Sequence, residues 1–138
     1  MNWDECKLRK LVKVVKSDEN LIRSLLEQSN KKLITDRFSP LNKDTATTKL
    51  SNNYDSLREI LEALAIQKGF KIYNPECFSG FLKELFNMEK ESFEFDNLRK
   101  IRNSINYYGE DISVEVAERL IKDINQLRVK LLRRLNEN

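Results

Sequence analysis

The segment from Leu98 to Gly109 concentrates groups able to hold an anion beside an apolar stripe. If it is helical, Ile101 and Ile105 face inward, and Arg102 and Asn106, one turn apart, share the adjoining flank. A guanidinium and an amide at that spacing can grip a phosphate or a base edge together. Arg99 lies one turn earlier, Asn103 follows Arg102 directly, and Tyr107 and Tyr108 offer ring faces or hydroxyls at the helix end. The binding candidates are therefore Arg99, Arg102, Asn103 and Asn106. The competing reading pairs Arg102 with an acid of the next helix, such as Asp123, and leaves Asn106 and the tyrosines to close the helix end.

Other chemistries are excluded or disfavoured. The chain has no histidine, which removes serine–histidine and cysteine–histidine nucleophiles and any plausible structural zinc set. Its three glycines stand singly, so no phosphate-cradling loop of the Walker or Rossmann kind is present. No metal or cofactor is expected. The acids Glu59, Glu62, Glu84 and Glu118 read as solvated outer faces, not as a paired catalytic set. Cys6 and Cys77, far apart and without CxxC spacing, read as separate reduced thiols, Cys77 as an inert core residue; a cytoplasmic location fits that reading. The basic run from Lys7 to Lys16 either is simply solvated or touches nucleic acid, and a formal charge of +3 does not decide between them. No apolar run approaches the ~20 residues a membrane helix needs, and neither a signal peptide nor a membrane partner is expected.

The elements that must position these groups are helices. With five glycines and prolines in all, and about a third of residues charged, the composition favours helix, and strands look unlikely. A short basic helix, or an extended arm around Val14 and Val15, occupies Lys7 to Lys16. Ser17-Asp18-Glu19 opens a helix ending near Phe38; Asp44 to Thr48 opens one that Gly69 stops; Asn74-Pro75 starts a third, in which Gly80 is the weak link. A fourth runs from about Phe93 to Tyr108 and ends at Gly109, and Ser113 caps the last. Short connections between wide apolar stripes predict an all-α, up-and-down helical bundle of about five helices. The whole chain, 1–138, reads as one domain, with a basic N-terminal segment over 1–16 and the bundle over 17–135.

Arg102-Asn103-Ser104-Ile105-Asn106-Tyr107-Tyr108-Gly109 at the end of a penultimate helix, with Tyr54 to Ala65, Gly69-Phe70-Lys71 and Phe81 to Glu84 upstream, resembles the HEPN domains of higher eukaryotes and prokaryotes. The resemblance spans about Leu21 to Leu127. It implies a helical bundle, commonly a homodimer, in which motif helices of two subunits form a shared cleft. Many such proteins are metal-independent ribonucleases, often toxins silenced by a partner nucleotidyltransferase. Their motif is an arginine, often with a polar residue directly after it, then four to six intervening residues and a histidine. Arg102 and Asn103 match its first part, and the histidine position falls at Tyr107 or Tyr108. Tyrosine, with a reference pKa of about 10, replaces an imidazole poorly in RNA cleavage. The expectation is a HEPN-like protein that binds RNA, a nucleotide or a partner protein at a dimer cleft around Arg102. The alternatives are an endoribonuclease using Arg102 with Tyr107 or Tyr108 as catalytic residues, and a dimeric interaction module of a toxin–antitoxin system, with a nucleotidyltransferase antitoxin as its possible partner.

Overall fold

The first capping side chain is Asn2, which accepts the Glu5 N–H at 2.8 Å and starts a six-residue helix, α1, over Trp3–Leu8. In this computed structural model, which describes residues 1–137, the chain then leaves helical geometry at Lys10, where φ is 59°. The basic helix expected over Lys7 to Lys16 therefore does not form. Leu8, which its apolar stripe would have buried, is 82 % exposed. Val12–Val14 forms a strand, β1, antiparallel to β2 (Phe70–Ile72), with Val12 opposite Ile72. β-branched side chains suit that pleated ribbon better than a short exposed helix, so the extended arm is the form the valines take.

Asp18, one residue later than the expected cap, accepts the Asn20 and Leu21 N–H groups and opens α2, Glu19–Arg37. The central helix is α3, Ala46–Gln67, whose Leu50, Tyr54, Leu57, Ile60, Leu61 and Leu64 are buried. Gly69, with φ 88°, turns the chain from it into β2. α2 lies antiparallel against α3: Lys49 Nζ sits 3.0 Å from the Asp36 carboxylate, and Ser29 Oγ donates to the Ser56 carbonyl at 2.8 Å. This packing corrects the reading of Glu59 as solvated. α2 covers it to 7 % exposure and pairs it with Lys32 at 2.5 Å.

Asn74 heads a turn in which its side chain accepts the Glu76 N–H, and α4 follows over Cys77–Phe86. α5 runs Glu89–Tyr108, starting one turn before the expected Phe93, and closes on Gly109 at φ 64°. Ser113 accepts the Val116 N–H and caps α6, Val114–Asn136. α6 runs parallel to α3, because Thr47 bonds Asp111 and Ile112 at one end while Gln67 bonds the Leu135 carbonyl at the other. The molecule is an all-α helical bundle, with six helices among the described residues in place of five because α1 is a separate element. Among the described residues, no helix is long and apolar enough to cross a membrane.

Cys6 and Cys77 are joined in a disulfide, which corrects their reading as separate thiols. They are 71 positions apart in sequence, yet α1 packs on α4 and brings their Cα atoms to 6.0 Å, within bridging range. The argument for a cytoplasmic location from reduced cysteines falls with it. Gly80 makes this approach possible: a Cβ there would lie 2.8 Å from the Trp3 backbone nitrogen. The expected weak link is thus a contact point. Gly80→Ala should lower the thermal melting point despite alanine's better helix propensity, at a cost of about 1–3 kcal/mol from forced displacement of α1.

Candidate functional site

The flank that carries Arg102 is set by what α5 buries. Phe95 and Leu98 are in the core, and the Phe95 ring stacks on Tyr54 of α3 with centroids 5.7 Å apart and planes 18° from parallel. That contact turns Arg99, Arg102, Asn103 and Asn106 toward a cleft of about 340 Å³ between α5 and α3, with Asn74 and Pro75 along another side. The sequence-predicted binding residues all line it, and so does Tyr107. Tyr108, 80 % exposed, stands outside it. None of residues 7–16 contributes to the cleft.

Arg102 is held on two sides. One Nη donates to the Asn106 side-chain oxygen, as helical spacing predicts, and the other lies 3.8 Å from the Asp55 carboxylate. Its Nε is buried and has no hydrogen-bond partner among the described residues. The acid beside Arg102 is therefore Asp55 of α3, not Asp123 of α6. α5 presents this flank to α3, whereas Asp123 is exposed on α6. The chain matches no protein-family model, no curated protein and no solved structure.

Two more guanidiniums share the cleft. Arg99 donates through Nε to Asp96 at 3.0 Å, with its Nη2 2.9 Å from the same carboxylate oxygen. Arg58 pairs with Glu62 one turn along α3. Sequence reasoning missed Arg58, Asp55, Tyr54 and the Asn74-Pro75 wall. One signal was present: Asp55 and Arg58 sit one turn apart beside the Leu57 and Leu61 stripe, as Arg99 and Arg102 sit beside Leu98 and Ile101.

Burial dominates the site's protonation. Tyr54, 5 % exposed at the base of the cleft, has its hydroxyl pushed up to about 12 by desolvation, against the opposing pull of Arg58 and Arg99. It stays protonated at neutral pH. Glu62, expected on a solvated face, is half-buried, and desolvation raises its carboxyl above the usual range even though Arg58 pulls it down. Because the folded chain then holds the Glu62 proton more tightly than the unfolded chain, stability declines as pH rises from about 4.5 through the raised value. Glu62→Gln should flatten that part of a stability-against-pH curve measured by urea unfolding. An unchanged slope would assign it to other groups.

Proposed function

We propose that this is a HEPN-like protein that binds RNA or a nucleotide by its phosphate in the α3–α5 cleft and does not cleave it. The observation that carries this reading is the convergence of Arg102 with the amides of Asn103 and Asn106 and the guanidiniums of Arg58 and Arg99 on one cleft. A phosphate oxygen in the cleft would gain charge-assisted hydrogen bonds from these guanidiniums, worth about 1.5–3 kcal/mol each. The resemblance adds a second copy of the chain: the solvent-facing rings of Tyr107 and Tyr108, 75 % and 80 % exposed, offer apolar area that pairing through α5 would cover.

Binding without cleavage follows from the proton chemistry. RNA cleavage through the 2′-hydroxyl profits from a group that exchanges a proton near neutral pH, and general acid–base help supplies roughly 10² to 10⁴ in rate. The chain has no imidazole, and Tyr54 titrates only near 12. One observation favours a second reading: Tyr107 lines the cleft with Arg102, so a slow ribonuclease would use that pair and not Tyr108.

Fluorescence anisotropy with labelled single-stranded RNA at low salt tests the proposal. The expected result is binding that Arg102→Ala weakens at least about tenfold, the loss of one charge-assisted contact. Equal affinity of the two proteins would make the cleft purely structural. The same RNA incubated with EDTA should remain intact; cleavage lost in both Arg102→Ala and Tyr107→Phe would establish the second reading instead.

A further inference from the structure

α3 and α5 run antiparallel. Thr47 near the start of α3 bonds Asp111 just beyond the end of α5, and Asp55 meets Arg102 further in. Continuing that register by one turn sets Arg58 opposite Arg99, like charge against like charge across the same cleft. Both guanidiniums act on the Tyr54 hydroxyl. Glu62 and Asp96, which hold them, lie on their own helices and do not line the cleft. Two opposed cations without a carboxylate between them form a seat for an anion.

The cleft's charge and size narrow that anion. Three guanidiniums line it against one carboxylate, Asp55, while Glu62 and Asp96 pair with Arg58 and Arg99 from outside the lining, so an incoming anion must compete with those carboxylates for the guanidiniums. An internal phosphodiester carries a single negative charge, whereas a phosphomonoester carries about −1.5 to −2 at neutral pH. A volume of about 340 Å³ is at the small end for ligand sites and accommodates one nucleotide, not a run of strand. Asp55 works in the same direction. A strand passing through would bring its next phosphate against this carboxylate, while a single nucleotide can offer it ribose hydroxyls or base amino groups. Arg99 and Tyr107 are eight residues apart on α5, about 12 Å along the axis, so a phosphate at the first leaves its base within reach of the exposed ring at the second.

We infer that the cleft takes a terminal phosphomonoester, either of a free nucleoside monophosphate or of the phosphorylated end of an RNA strand, with the phosphate seated between Arg58 and Arg99. This rests on the proposed phosphate-binding role of the cleft and specifies its ligand. The seat, and not Arg102 alone, then provides the preference for a phosphorylated end.

Calorimetric titration of the full chain at pH 7.5 and low salt tests it. The probes are adenosine, 5′-AMP, and a penta-adenylate RNA carrying a phosphate at its 5′ end, at its 3′ end or at neither. AMP should bind at least tenfold more tightly than adenosine, and a phosphorylated strand at least tenfold more tightly than its hydroxyl-ended twin. Arg58→Gln should abolish that preference, and its melting curve checks that it folds. The comparison of phosphorylated with hydroxyl-ended strands in the unaltered protein decides the question even where the variant does not fold. AMP matching the phosphorylated strands assigns the site to free nucleotides, and a tighter strand assigns it to a strand end. A hydroxyl-ended strand binding as tightly as its phosphorylated twins would overturn this inference while leaving Arg102-dependent binding intact. Failure of every probe to bind would remove both.

Discussion

Reducing the Cys6–Cys77 bond lowers the stability of the chain by about 4 kcal/mol, the loop-closure entropy expected when a link closing a loop of this length is opened in the unfolded state. The bridge ties positions 71 apart and joins α1 to α4. Urea unfolding followed through Trp3, the only tryptophan, reads the effect where it arises. Its ring packs edge-on to Phe70 at 5.2 Å and against Phe81 at 5.7 Å. The transition midpoint should drop on adding dithiothreitol, and the double variant Cys6→Ala/Cys77→Ala should show the low midpoint with or without reductant. A midpoint indifferent to reductant would contradict the bridge.

Phe95→Ala costs about 3–5 kcal/mol, the range for removing a large aromatic from a filled core. Phe95 is fully buried and joins three helices, stacking on Tyr54 of α3 and meeting Phe78 of α4 edge-on at 5.7 Å. The loss is also local to the site, because Tyr54 rests on Phe95 beneath the cleft arginines. Phe95→Leu, which keeps most of the apolar volume, should cost less than the alanine and retain binding. Thermal and urea unfolding check both, and a loss under 1 kcal/mol for the alanine would mean that α5 is not anchored there.

The features legible in the sequence are those encoded within a few residues. Gly109 and Ser113 stand where their helices end and begin, and Arg102 reaches Asn106 one turn away because i, i+4 spacing dictates it. What escaped reading depends on which elements become neighbours. Periodicity marks the buried stripe of α3 but is silent on what covers its flanks, so Glu59 turned out to lie under α2 and Arg58 and Asp55 faced α5. The same gap hid the disulfide, since no local spacing records that α1 docks on α4 at Gly80. β1 was misjudged for a related reason. Its apolar spacing fits a helix, yet pairing with β2 satisfies its backbone.

Nitrogen-15 NMR of the labelled chain, titrated with a short 5′-phosphorylated RNA, tests the central claim most directly, because it reports where the ligand sits as well as whether it binds. The predicted shifts are at the Nε–H groups of Arg58, Arg99 and Arg102 and at the amides of Asn74 and Asn103, the cleft between α3 and α5. Arg58 and Arg99 should change most, since the phosphate is seated between them. Shifts confined to the Lys7 to Lys16 run, or to Arg128 near Arg37, with the cleft signals unmoved, would contradict the account.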